Sequence, residues 1–377
     1  MNTFKLFPRR TLKIAFQAVL VFLSIALTEP DPSFAGPIVA AAPPIEEMRT
    51  IIVQRGLWSP SVKSLAVLGP KNLNVALKHI DPYARYTPPG FLSSARSRSS
   101  YLGIEVFSYK STLWVRADAG GPADLAGVPE IGKLVAINRT PASSLNLAKV
   151  SDMLDTAARQ SQVTVTISGR QGKKAEAYKV IPTGLRIPSL MWKRVGHRIT
   201  IRIREFVGHD TAPRLAALFK TVLKAKTEII IDLRGCTGGD LYEAIEIAGM
   251  FVAADLPLAT THDRAGVVQA YHAQSGQKLP RPICLLMDYR TASAAEVLAA
   301  ILKYYGLTRL VGERSVGKCV SQTTIPLSDG GDLTLTTLEI RFPDGMTCTG
   351  KGLVPDIPYA DITVARLANI VTKVVNK

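Results

Sequence analysis

Cysteine is scarce in this 377-residue chain: the four stand at positions 236, 284, 319 and 348, none in the paired C-x-x-C spacing of a zinc or redox site. No metal or other cofactor is therefore expected. The five histidines (79, 197, 209, 262 and 272) lie in no nucleophile or metal-ligand motif, so a Ser-His-Asp triad has no support in the local sequence. Acidic residues are also few, 30 against 46 basic ones, for a formal net charge of +16. There is no internal repeat and no low-complexity tract. With 47% hydrophobic residues the composition is that of a globular chain, and its length suggests two or three domains.

The N-terminus has a plainer pattern. Lys5, Arg9, Arg10 and Lys13 precede the almost wholly apolar stretch Ile14 to Leu27, and Ser33-Phe34-Ala35 offers a small-x-small cleavage pattern. Residues 1–35 read as a secretory signal peptide. The apolar run is shorter than the ~20 residues that span a bilayer, so an uncleaved membrane anchor is the weaker reading. A secreted or periplasmic chain follows, and it stays strongly basic after cleavage. Such charge favours anionic partners such as membrane surfaces or cell-wall polymers. Nucleic acid is not expected, because export removes the chain from it and no basic-aromatic binding motif appears. In an oxidising compartment one disulfide is expected, Cys319 with Cys348 first, since both fall in segments that look like neighbouring strands. Buried free thiols are the alternative.

Past a linker over residues 36–44, apolar residues from Ile45 to about Leu92 recur at three-to-four spacing, broken by Pro60 and Pro70. Two or three short helices are predicted, making 36–100 a linker and helical entry segment that ends in the polar loop 93–100. From Tyr101 the pattern shifts to short β runs at 102–107, 113–117, 133–137 and 163–168, with a helix near 147–158. Beyond Pro182 strands and helices alternate. Residues 197–204, 228–232 and 282–287 read as strands, and 212–226, 242–251 and 294–305 as helices. This predicts an α/β domain with parallel strand pairs over 183–377. Residues 307–311 and 331–340 extend the sheet, and Asp329-Gly330-Gly331 signals a hairpin.

Three segments could carry chemistry. Ser293, in Thr291-Ala292-Ser293-Ala294-Ala295-Glu296, opens a helix straight after an apolar strand, where free backbone amides suit a nucleophile beside an oxyanion. The same residues also spell a capping box of Ser293 with Glu296. The run from Gly312 to Cys319 nearly matches a phosphate loop, but Cys319 replaces the hydroxyl that would hold magnesium, and β character follows where a helix is required. Lys318 is better read as a desolvated amine able to take a proton. The segment from Ile230 to Gly239 ends a buried strand in a glycine-rich turn whose amides could bind an oxyanion, or which needs glycine only for tight packing. Asp232 and Arg234 read as a structural ion pair.

In this order, DLRGCTGGD, TASAAE, VGERSVGKCVSQT and TGKGLVPDI resemble the carboxyl-terminal processing, or tail-specific, serine peptidases. Ile80-Asp81-Pro82-Tyr83-Ala84-Arg85-Tyr86 looks like that family's DPYSRY stretch. Tyr101-Leu102-Gly103-Ile104, Gly121-Pro122-Ala123 and Ala126-Gly127-Val128 resemble a PDZ domain, placed at 101–182. The resemblance covers roughly residues 45–360.

It implies a multidomain α/β protein: a helical N-terminal segment, a PDZ-like β-domain, and a peptidase core of the crotonase-like or ClpP-like type. It implies Ser293 as nucleophile, Lys318 as general base and Gln322 orienting the amine, with Gly239 and Ala294 as oxyanion donors. Leu102, Gly103 and Ile104 would bind a substrate's C-terminal carboxylate. Partners would be proteins or peptides with accessible C-termini, with an adaptor or activator besides. The chain departs from the family pattern at Cys236 (more often Asn), Val316 (Phe), Cys319 (Gly) and Tyr304 (often Asp). None of these removes an implied catalytic group. The alternatives are a PDZ scaffold with a silent peptidase core, or a peptidase that needs an activator.

Overall fold

Proline sets the first boundaries. The computed structural model describes residues 42–89, 102–109, 111–118, 121–129, 131–158, 162–168, 174–182, 188–223, 227–274 and 282–358. The expected signal peptide 1–35, most of the linker and the loop 93–100 lie outside the described residues. Helices α1 (Ile45–Arg55), α2 (Val62–Ala66) and α3 (Leu73–Ile80) are separated where Pro60 and Pro70 deny the backbone a donor. Their apolar faces bury Met48, Ile52, Leu68, Leu73 and Leu77. Leu327, Leu333 and Leu335 join the same core from far along the chain. The short strand β1 (Arg85–Thr87) follows.

The next unit is antiparallel: β2 (Ile104–Tyr109), β3 (Thr112–Ala117), α4 (Pro122–Leu125), β4 (Ile131–Ile137), β5 (Thr140–Pro141), α5 (Leu147–Ala158), β6 (Val163–Ile167) and β7 (Glu176–Val180). The sheet runs β2-β3-β4-β6-β7, with β5 against β4. β6 shows why it forms, since Val163, Val165 and Ile167 face inward while the threonines between them are partly exposed, the period-two pattern of a half-buried strand. These residues join Val115, Leu134, Ile137 and Val150 in a core separate from the others. β2 is an edge strand, and α5 lies alongside it.

The remaining elements are β8 (Leu190–Val195), β9 (Arg198–Ile203), α6 (Thr211–Val222), β10 (Glu228–Asp232), α7 (Leu241–Gly249), β11 (Pro257–His262), β12 (Val267–His272), β13 (Pro282–Met287), α8 (Ala294–Tyr304), β14 (Leu310–Gly312), β15 (Val320–Pro326), β16 (Asp332–Arg341) and β17 (Ile357–Pro358). The central sheet runs β17-β14-β13-β10-β9-β8 and is parallel except where β8 meets β9. Because β9, β10, β13 and β14 are added in one direction, right-handed crossovers put their connecting helices on one face. There Ile229 and Ile231 pack with residues of α6, α7 and α8. Ile230 turns to the opposite face with Cys284, Leu286 and Val311, which is why β10 reads as an unbroken apolar run.

A second sheet, β1-β16-β11-β12 with β15 also on β16, joins the first and last parts of the chain. β1 pairs with Thr334, Leu333 and Asp332 of β16, and the β15–β16 hairpin turns at the Asp329-Gly330-Gly331 signal. Strands β7, β8, β11 and β12 were not among the strands expected from sequence. β12 shows the reason: five of its six residues are exposed, so it carries almost no apolar period.

Cys319 and Cys348 form a disulfide with Cα atoms 5.4 Å apart, as expected, while Cys236 and Cys284 are buried free thiols. The bridge ties the start of β15 to the loop after β16 across 29 residues. By loop-closure entropy it contributes about 3–4 kcal/mol. Replacing both cysteines by serine is expected to lower the unfolding free energy by about that amount, measured by denaturant titration of wild type and variant under oxidising conditions.

Candidate active site

Three parallel strands end side by side, and each delivers one part of the site, at the end of a parallel sheet where ligands are usually bound. β10 runs into the glycine turn 235–239, β13 into the segment before Ser293, and β14 into the turn that carries Lys318. Short polar bonds hold the first two together. Gly235 N donates to Asp288 Oδ1 at 2.9 Å, Thr291 Oγ1 to the Leu233 carbonyl at 2.9 Å, and Ala292 N to the Cys236 carbonyl at 3.0 Å. The third is laced on by Val316 N, which donates to the Thr291 carbonyl at 3.0 Å.

Ser293 caps α8 with φ 58° and ψ −127°, a backbone region that costs a non-glycine residue about 1–3 kcal/mol. Gly238 explains how this conformation is accommodated. A Cβ on it would lie 2.6 Å from Ser293 Cβ and 2.9 Å from Ala294 N, so only glycine lets the turn approach the nucleophile candidate. Gly239 sits one residue on in a parallel bridge to Phe206, in which Phe206 N donates to the Gly238 carbonyl and Asp240 N to the Phe206 carbonyl. The Gly239 amide takes no part in that pair.

The capping box read from Ser293 and Glu296 is present, and Glu296 does more than cap. Its side chain is fully buried. Oε2 accepts Ser293 N at 2.9 Å and Lys318 N at 2.8 Å, while Oε1 accepts Gly317 N at 2.7 Å and Ser315 Oγ at 2.5 Å. One carboxylate oxygen therefore holds the backbones of the serine and the lysine within two hydrogen-bond lengths. Sequence reading assigned Glu296 only a capping role. The acidic residue three places after Ser293 was the available signal.

Lys318 is half-buried, with Nζ 5.1 Å from the centre of the Tyr83 ring. Burial pulls its amine below the ordinary lysine value, opposed by the charges of Asp81 and Glu296. Gln322 lies on β15 opposite Thr336 and donates from Nε2 to Thr336 Oγ1 at 3.3 Å. Asp81 and Tyr83 thus bring the entry helices to this site. Cys236 is fully buried, and its thiol is pushed up to about 12 by burial, so it packs as a small apolar group rather than as a nucleophile.

Leu102, Gly103 and Ile104 are at the entrance to β2. The Leu102 carbonyl accepts Ala123 N at 3.1 Å, and Gly103 has φ 68° with its α-carbon close against Pro122. A buried ionic network links this sheet to the central one. Glu105 pairs with Arg202 at 2.7 Å and Arg290 at 2.5 Å; Asp118 pairs with Arg202 and Arg204; Arg116 donates to the Arg234 carbonyl at 2.7 Å. Arg234 and Asp232 form a two-point pair with both distances 2.8 Å. Burial alone would raise the Asp232 carboxyl, but Arg234 and Arg202 hold it well below the usual range. Burial draws Arg116 down to about 10.

Among the described residues, one cluster has metal-ligand proximity, Glu296 with Cys319 and Cys348, and its two sulfurs are consumed by the disulfide.

Residues 199–359 match Peptidase family S41, the family that the motif order resembles. The chain is 25% identical over 285 residues to a protein named "Probable CtpA-like serine protease" from Staphylococcus aureus, covering 74% of this chain and 57% of that one. It is 27% identical over 305 residues to the chloroplastic C-terminal processing peptidase of Tetradesmus obliquus, covering 74% and 64%. The chain thus spans less than two thirds of the length of these relatives. The photosystem II D1 C-terminal processing protease shares the fold, with a TM-score of 0.53 at 20% identity over 87% of this chain and 95% of that one.

Glu296→Gln puts an NH₂ group where only acceptors fit. It is expected to lower the unfolding free energy by about 2–3 kcal/mol, measured by denaturant titration, because at least one buried donor loses its partner.

Proposed function

We propose that this chain is an exported serine endopeptidase that cleaves proteins recognised by their C-termini through an acyl-enzyme on Ser293. The observation that carries the reading is the shared Glu296 oxygen, which holds the Ser293 and Lys318 amides side by side. Lys318, whose amine burial makes easier to deprotonate, takes the Ser293 proton in its neutral form as the hydroxyl oxygen attacks the scissile carbonyl. The resulting oxyanion is held by the amides of Ala294 and Gly239. The α8 N-terminus favours the first, and the second adjoins Gly238, whose Cα abuts Ser293. The Lys318 ammonium then protonates the leaving amine, and water hydrolyses the ester with Lys318 again as base. Gln322 holds the amine.

The β2–β7 unit is the PDZ domain in this reading. Support comes from the free edge of β2, the helix α5 beside it, and the Leu102-Gly103-Ile104 turn at its entrance. A substrate tail would add a strand to β2 and end at that turn. Glu105 of β2 is bonded to Arg290, three residues before Ser293, so tail binding and the catalytic segment share an ionic contact. Export rests on the N-terminal sequence pattern, and among the described residues no helix is long and apolar enough to cross a membrane. An adaptor or activator protein, or proximity to a membrane surface or cell wall, fits the basic charge.

Incubating the mature chain with an unstructured protein should yield fragments, and Ser293→Ala or Lys318→Ala should lose at least about 10³-fold in kcat/KM. Equal cleavage by all three proteins refutes the dyad. Because only the neutral amine is a base, kcat/KM should rise with pH as Lys318 deprotonates, with a midpoint below 10.5. Substrates amidated at the C-terminus should show a raised KM. An unchanged KM removes the carboxylate from recognition.

A further inference from the structure

Asp81 caps the C-terminal end of α3, is 3% exposed, and among the described residues receives side-chain bonds from neutral donors. Oδ1 accepts Tyr83 N at 2.9 Å and Thr336 Oγ1 at 3.0 Å, and Oδ2 accepts Thr336 N at 2.7 Å. A buried carboxylate is costly unless it is hydrogen-bonded and its charge is answered nearby. A cation that feels its charge is Lys318, 237 positions further along the chain but close in space. Tyr83, whose amide is bonded to Asp81, lays its ring beside the same ammonium.

The hydroxyl of Thr336 has one proton, and an ionised carboxylate can only accept, so that proton goes to Asp81. The Thr336 oxygen is then left to receive Gln322 Nε2, as the 3.3 Å contact shows. With NH₂ committed to Thr336, the amide of Gln322 has its Oε1 on the other branch, where it can accept from an amine. An amide turned the other way would offer Lys318 hydrogens it cannot use while protonated.

We propose that Asp81 is a positioning residue for the general base: through Thr336 it sets Gln322 with its oxygen toward Lys318, and its charge anchors the ammonium formed during each proton transfer. The inference rests on Lys318 being that base. Among the described residues, the other titratable groups facing Lys318 are Glu296 from α8 and Tyr83 from the segment after α3. Glu296 is committed to four donors and holds the lysine's backbone, whereas Asp81 reaches its side chain through the orienting glutamine.

The test uses the mature chain carrying Asp81→Asn or Thr336→Val, with Ser293→Ala as control. Two readouts are taken: the pH profile of kcat and kcat/KM, and the pH dependence of Lys318 acetylation by acetic anhydride, followed by mass spectrometry of its peptide. Asp81→Asn should lower the Lys318 midpoint by about one pH unit in both, since a nearby negative charge is lost. Thr336→Val keeps that charge, so its midpoint should stay within about 0.3 unit of wild type, while kcat falls about tenfold or more at unchanged KM. An unmoved midpoint in Asp81→Asn, or an unchanged kcat in Thr336→Val, overturns the proposal. Loss of folding in Asp81→Asn leaves the decision to Thr336→Val. If wild type does not cleave, or Ser293→Ala cleaves as well, the peptidase reading fails instead, and the acetylation arm still decides whether Asp81 governs the lysine.

Discussion

A buried carboxylate with four donors organises this molecule's site. Glu296 stands on the first turn of α8 and draws in two amides and a hydroxyl from the 315–318 turn, together with the amide of Ser293. An ionised carboxyl group can satisfy all four because it offers acceptor sites alone. Much else follows. The lysine turn cannot drift from the serine helix without stranding buried donors, and the loop 348–353 is held in turn, since the Leu353 amide donates to Ser315 Oγ and the Gly350 amide to the Gly317 carbonyl. The disulfide from Cys319 fastens the same loop covalently.

The second constraint is the arginine-rich interface between the β2–β7 sheet and the central sheet. Buried ion pairs contribute little net stability against an apolar alternative, but each is costly to break singly. Arg202 touches Glu105 and Asp118 on one side and approaches Asp232 at 3.7 Å on the other, so the two sheets share charges that neither can satisfy alone. Such an interface fixes one relative placement of the sheets rather than a sliding apolar contact. It also runs beside the glycine turn, since Arg116 bonds the Arg234 carbonyl and Glu105 lies against Gly235.

Much of this was legible in the chain. The apolar periods placed α5 at its observed ends and β10 at its observed bounds, because a helix face and a doubly buried strand each impose a period the residues must obey. The hairpin at Asp329-Gly330-Gly331 and the pairing of Cys319 with Cys348 also followed from local pattern. β8, β11 and β12 did not. Their burial depends on partners distant in sequence, and β12 is largely exposed. At the site, Ser293, Lys318 and Gln322 stood out through motif order. Gly238 did not stand out from Gly239, because both sit in one glycine pair and only the path of the chain decides which abuts the serine.

The sequence alone determined the types of group present and their local supports: a serine at a helix start, a lysine in a glycine-bounded turn, a glutamine on the following strand, and an acidic residue one turn into the helix. Periodicity and turn chemistry are short-range, so they could be read from neighbours. Only the tertiary structure decided that Glu296 joins serine to lysine, that Asp81 and Tyr83 at the end of the entry segment lie by the lysine, and that Thr336 links Asp81 to Gln322. Those contacts join residues as many as 255 positions apart. They depend on which strands lie side by side, and so on the summed burial of the whole chain.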